Sequence, residues 1–140
     1  MNLNYILKKK HVMKHRRPSE FVKIKKLSWG SRGFAALQPV RFELYFILFF
    51  KKLLDQSLLK LRTDYPRPRY WVRVRPNLWL TAISKNSRMG SGVGLGERLV
   101  QRLNPGRAFI EFQYIPSIWL KLFYSWLRFK LYFKIILISG

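Results

Sequence analysis

The sequence predicts one domain built from both helices and strands, and the spacing of its apolar residues carries that prediction. From Phe42 to about Leu61 they recur every three or four positions. Around Tyr70 to Arg75, and again from Phe109 to Tyr114, they alternate every second position. Length is the third observation: 140 residues is the size of one domain, able to hide about two-thirds of its unfolded surface.

Taken in order, residues 29–41 read as a turn followed by a short apolar strand that Pro39 interrupts. The helical segment from Phe42 to Leu61 then places Phe46, Phe49, Phe50, Leu53, Leu54 and Leu58 on a packing face. Lys51, Lys52, Asp55, Gln56 and Lys60 largely share the wet one. Pro66 and Pro68 make residues 63–69 an extended connection. In the strand that follows, Tyr70, Val72 and Val74 point to the core, and Trp71, Arg73 and Arg75 point outward. Residues 97–103 fit a strand or a helical turn, and Asn104-Pro105-Gly106 is a strong turn signal. Next comes a half-buried strand with Ile110, Phe112 and Tyr114 on one face and Phe109, Glu111 and Gln113 on the other. Pro116 opens a second helix whose polar stripe is Ser117, Lys121, Ser125 and Arg128, and residues 131–138 suit a final buried strand.

Charge narrows the function. With 28 Lys and Arg against 6 Asp and Glu, the formal charge is +22, more than internal salt bridges can neutralise. The balance must come from a polyanion or an anionic membrane. Yet 49% of residues are hydrophobic and 16% aromatic, so the chain is expected to fold. Without cysteine it has no disulfides, thiolate metal sites or cysteine nucleophiles. The only histidines, His11 and His15, lie in a basic run, and no two acids are close in sequence. Neither a catalytic carboxylate pair nor a metal cluster is evident, and no enzyme, cofactor or metal is expected.

Residues 1–28 form a basic extension in which Lys8, Lys9, Lys10, Lys14, Arg16, Arg17, Lys23, Lys25 and Lys26 are opposed only by Glu20. A solvated tail and an organelle-import presequence are the bland readings. The functional one is an arm that displaces counterions from phosphates, and the overall charge favours it. Arg73 and Arg75 beside Trp71 suit RNA in the same way, because guanidinium forks match phosphates and an indole can stack on a base.

Arg88-Met89-Gly90-Ser91-Gly92-Val93-Gly94 is the third cationic element. Its spacing fits neither a dinucleotide fingerprint, whose third glycine would fall at Leu95 or Glu97, nor a phosphate loop, which needs Lys before Ser or Thr. What remains is a loop of little side-chain bulk whose backbone can approach another backbone closely. Residues 117–138 are about long enough to span a bilayer, but Lys121, Arg128, Lys130 and Lys134 are spread through them. Each cation near the bilayer centre costs about 2.5–3.5 kcal/mol, so an integral membrane protein is not expected. A basic amphipathic protein on a membrane surface is the alternative reading.

Four runs together resemble a known family. Trp29-Gly30-Ser31-Arg32-Gly33-Phe34-Ala35-Ala36, Tyr70-Trp71-Val72-Arg73-Val74-Arg75-Pro76, the Arg88–Gly94 loop and Pro105-Gly106-Arg107 are similar, in order and spacing, to the bacterial and organellar ribosomal protein L-sixteen family. The resemblance covers about residues 29–138. It implies an α+β domain, two helices packed on a mainly antiparallel sheet, carrying the basic N-terminal extension and the glycine-rich loop. It further implies a protein that catalyses nothing and is bound to large-subunit ribosomal RNA beside the peptidyl transferase centre, among neighbouring ribosomal proteins. By that likeness Trp29, Gly30, Arg32 and Gly33 form an RNA-facing turn and Arg73 lies on a supporting strand. Arg88, Met89, Gly90, Gly92 and Gly94, with Ser91 and Val93 between them, reach toward the acceptor end of transfer RNA. The role implied is ordering RNA during late subunit assembly and seating transfer RNA.

Departures from the family pattern are informative. Ser91 and Val93 stand where the family often has lysines, and Tyr45 to Phe50 is aromatic and apolar where its first helix is rich in Arg, Gln and Ala. That helix face is expected to meet another protein. The shift toward Phe, Tyr, Ile, Leu and Lys is what an A+T-rich genome encodes, which points to a mitochondrial ribosome in the matrix and a chain synthesised inside the organelle.

Overall fold

The computed structural model describes residues 23–61, 66–82, 88, 90 and 95–140. Of the expected contact residues, Lys8, Lys9, Lys10, Lys14, Arg16, Arg17, Met89, Ser91, Gly92, Val93 and Gly94 lie outside the described residues. The described elements are β1 (Arg32–Ala36), β2 (Val40–Glu43), α1 (Leu44–Leu58) with a 3-10 turn at Leu59–Leu61, β3 (Arg69–Val72), β4 (Leu78–Ala82), β5 (Leu95–Leu103), β6 (Ala108–Gln113), α2 (Ser117–Lys130) and β7 (Ile135–Ser139).

The fold is α+β, and every strand pairing is antiparallel. The strands divide into a four-stranded sheet of order β3-β6-β1-β7 and a three-stranded sheet of order β2-β5-β4. Pro39 marks one crossing between them. Without an N–H it cannot extend the β1 ladder, so the chain leaves the first sheet after Ala36 and re-enters pairing at Val40 in the second. The turn at Asn104–Gly106 makes the return crossing from β5 to β6. Gly106 has φ +82°, a left-handed conformation that glycine adopts without strain, and its N–H donates to the Ala36 carbonyl at 2.8 Å.

β1 is an interior strand of the larger sheet, with Phe34 opposite Ile110 of β6 on one side and Leu137 of β7 on the other. Its residues 33–36 are all buried, which explains the small side chains in Gly-Phe-Ala-Ala. β6 is likewise buried on both faces rather than half-buried as its alternation predicts. β1 and β3 pair with both its edges, and the Ser28–Gly30 turn and Arg73 cover Glu111, which is only 2% exposed. Tyr114, expected to continue the Ile110–Phe112 face, instead leaves the strand at φ 58° and is exposed.

α1 begins at Leu44, two residues after the expected start, because Phe42 and Glu43 pair with Gln101 and Val100 of β5. Its buried residues are Ile47, Phe50, Leu54 and Leu58, while Phe49 faces outward at 62% exposure. The real face is therefore centred one position away from the one the sequence favours. α2 buries Leu120, Phe123 and Leu127, and Arg128 and Lys130 in its last turn complement the helix dipole. Neither helix has a side-chain N-cap bond, so packing must hold both. The last strand is shorter than residues 131–138 suggest, since Leu131 ends α2 and pairing starts at Ile135. β4 was not anticipated from the sequence, and it forms because β5 offers it a full antiparallel edge.

Aromatic rings join the layers. Phe34 of β1 meets Phe112 edge-on at 5.1 Å and stacks on Phe123 of α2 at 6.2 Å, while Phe50 of α1 touches Phe109 and Phe123. Phe42 and Phe133 pack edge-on at 5.4 Å, tying the second sheet to the segment before β7. Such pairs add about 0.5–1.5 kcal/mol each beyond area burial.

Phe34→Ala should lower unfolding free energy by about 3–5 kcal/mol, a large part of the roughly 5–15 kcal/mol a domain possesses. Urea unfolding of the RNA-free chain measures this, and a loss under 1 kcal/mol would contradict the central place of that ring.

Candidate nucleic-acid interface

Glu111 organises the surface where most of the described candidate residues meet. Its carboxylate accepts the backbone N–H of Trp29 at 2.7 Å, of Gly30 at 2.8 Å and of Ser28 at 3.1 and 3.2 Å to its two oxygens. The Arg73 Nε lies 3.6 Å from Oε1. Burial alone would raise this carboxyl's pKa, but donation from Gly30, Trp29 and Ser28 and the Arg73 charge outweigh it and hold the pKa below its ordinary value. An anion thus shapes the Ser28–Gly30 turn from inside. Gly30 is required for close approach: a Cβ there would lie 2.7 Å from the Phe112 carbonyl oxygen.

Arg73 is drawn into this cluster. Its guanidinium carbon sits 4.0 Å from the Trp29 ring centroid, and its Nη2 donates to Ser28 Oγ at 3.3 Å. Its Nη1 is buried with no hydrogen-bond partner among the described residues. β3 ends at Val72, so the expected alternation stops before Arg73: Val74 is buried as predicted, while Arg73 turns to Glu111 and only Arg75 stands exposed. The Arg75 backbone N–H is bound by the Gln101 side chain, which fixes where its guanidinium emerges. Trp29 is 55% exposed, and its ring lies 6.4 Å from that of Trp71 at a 59° tilt. Together Trp29, Trp71 and Arg73 make an aromatic ledge with a cation against it, chemistry suited to stacking an unpaired base.

The other described candidates flank this ledge or lie apart. Lys23, Lys25 and Lys26 are exposed, and the Lys25 N–H donates to Gly106 at 3.0 Å, so this end of the basic extension is laid along the Asn104–Gly106 turn. Gly33 is buried inside β1. Arg32 opens β1 and borders a shallow cleft of about 430 Å³ with Ser31, Leu61, Pro66, Tyr114, Ile115 and Pro116. Arg88 and Gly90 are exposed in the glycine loop. Glu111 is the residue that sequence reasoning missed, placing it on a solvent-facing strand side. The signal available was a lone acid inside the apolar run Ala108-Phe109-Ile110-Glu111-Phe112 of a cationic chain.

Three of the four described acids are engaged within the fold. Glu43 pairs with Arg98 at 3.1 Å and Asp55 accepts from the Tyr70 hydroxyl at 2.7 Å, as Glu111 accepts from its turn. The surface cations are left to an external counter-charge. Among the described residues no group of three or more His, Cys, Asp or Glu could hold a metal, and no helix is long and apolar enough to cross a membrane.

Fold and surface define a small, strongly cationic α+β protein of formal charge +22. The chain belongs to the ribosomal protein L16p/L10e family, whose profile matches residues 5–135. It is similar to the large ribosomal subunit protein uL16 of Gluconacetobacter diazotrophicus, 30% identical over 90 residues that make up 64% of this chain and 61% of the relative. The protein of the same name in Hyphomonas neptunium is 31% identical over 91 residues, 65% of this chain and 62% of the relative. For that of Methylorubrum extorquens the figures are 32% over 85 residues, 61% and 58%. The matches therefore span about three-fifths of these relatives' length.

Glu111→Gln should cost about 2–3 kcal/mol, because an amide presents N–H groups to backbone donors that now meet an anion. The folded-state pKa of Glu111 lies below its unfolded value of about 4.3. Its stabilisation is therefore complete above that pH and lost as pH falls through the folded pKa. Acid unfolding curves of the two proteins should converge at low pH. Parallel curves would show that Glu111 carries no linked proton.

Proposed function

We propose that this chain is a structural constituent of the large ribosomal subunit, bound to its ribosomal RNA beside the peptidyl transferase centre. The Trp29–Trp71–Arg73 ledge on its Glu111 clamp carries the reading. It joins two of the four sequence runs that resemble the family, and it offers stacking and cation–π contact on a chain of charge +22. Trp29, Trp71 and Arg73 form the base-facing ledge. Arg75, Arg32, Lys23, Lys25 and Lys26 hold phosphates around it, and Lys8, Lys9, Lys10, Lys14, Arg16 and Arg17 extend the contact. Arg88 to Gly94 approach the acceptor end of transfer RNA, and the protein acts by placing RNA during late assembly and translation, with no catalytic step of its own. Family membership supports the ribosomal setting. The bias toward Phe, Tyr, Ile, Leu and Lys supports a mitochondrial ribosome.

Sedimentation of a mitochondrial lysate through sucrose with detergent and about 0.3 M salt tests the reading. The chain should travel with the large subunit and leave it after ribonuclease treatment; recovery only in micelles would refute the assignment. Arg75→Ala should release the chain at lower salt, with the binding slope reduced by about one counterion. Gly92→Val should slow peptide synthesis in ribosomes that contain it, by obstructing a close approach of the loop. A normal rate in such ribosomes would remove the loop from transfer RNA.

A further inference from the structure

α2 turns one apolar row to the core and another to solvent. Leu120, Phe123 and Leu127 are buried, while Ile118, Leu122, Trp126 and Phe129 are 75, 67, 43 and 86% exposed. The exposed four follow one another by four, four and three positions, which keeps them in one stripe along the helix. Lys121, Ser125 and Arg128 run parallel to it one position away, Lys130 lies at its end, and α2 contains no acid. Isolated exposed apolar residues are ordinary; a contiguous row of four including two aromatics marks a surface that is covered in use.

Resting on the ribosomal reading above, we infer that this stripe is the seat of another protein of the large subunit. Its partner surface is an amphipathic helix whose apolar seam is edged by Asp or Glu. Three arguments select that occupant. RNA is the poorer match: Trp126 and Phe129 could stack on bases, but Ile118 and Leu122, which complete the row, offer a nucleic acid neither stacking nor hydrogen bonds. A second copy is disfavoured by charge, because pairing two α2 helices would set the Lys121 and Arg128 edges of two +22 chains beside each other. The spacing is that of a helix-on-helix seam, in which i, i+4, i+8 and i+11 anchors enter the partner's holes and flanking charges choose the partner. The cationic edge then selects acids.

The test places a benzophenone side chain at Leu122, and separately at Phe129, in chains incorporated into large subunits, which are purified and irradiated. Mass spectrometry should find both positions joined to one helical segment of one subunit protein, with Asp or Glu beside the apolar row. Attachment to ribosomal RNA, to lipid, to a second copy or to nothing overturns the inference while leaving the ribosomal assignment intact. Failure of the unaltered chain to enter the subunit overturns both. In parallel, the double variant L122S/F129S alters only exposed side chains and should fold normally. Its retention on salt-washed subunits should fall at least roughly thirtyfold, the loss typical when even one of two truncated anchors is a hot spot. Unchanged retention would count against the seat.

Discussion

A single buried carboxylate holds the proposed recognition surface to the body of the domain. Glu111 lies in a strand sealed by neighbours on both edges, where an unpaired charge would be prohibitive, and its charge is met by three consecutive amides and one guanidinium. That requirement dictates the path of Ser28-Trp29-Gly30, the absence of a side chain at position 30, and the inward turn of Arg73. Trp29 is exposed because the backbone beneath it is pulled inward. The ledge is thus the outer consequence of an interior electrostatic demand, and its arginine is held on three sides, by Glu111, Ser28 and the Trp29 ring.

Charge distribution follows from the same economy of acids. Glu43, Asp55 and Glu111 each accept a hydrogen bond within the fold, so the described acids that could have quieted the surface are largely used in building it. Arg73 occupies an intermediate position, shielding Glu111 on one side and lying against Trp29 on the other. A guanidinium suits both tasks because its planar face can contact a ring while its edge donates. Lysine could not do both.

The layered aromatic core has a different logic. β1 carries small residues where strands crowd it, and Phe34 spans the gap to α2. Phe42, Phe109 and Phe133 close the junction between the two sheets. Large rings compensate for helices without caps, which would be marginal alone. They also leave the helices with apolar residues on more than one side, so a periodic pattern alone could not say which row faces in. Phe49, expected inside, faces out and Ile47 is buried for that reason, and in α2 two apolar rows competed for one interior.

The sequence by itself determined the fold class, the positions of the two helices and of most strands, the turn at Asn104–Gly106 and the surplus of positive charge. Each of these is set by local period, by proline and glycine, or by a count. Legible too were the residues of the ledge, since Trp29, Gly30, Trp71 and Arg73 stand in runs that resemble the family. Only the tertiary structure decided that strands separated by dozens of residues would enclose Glu111, that the larger sheet would bury both faces of β6, and that Arg73 would answer a carboxylate 38 positions away in the chain. Burial of a strand depends on what packs against it from distant segments, and a charge changes meaning when water is removed from around it. No local pattern encodes either.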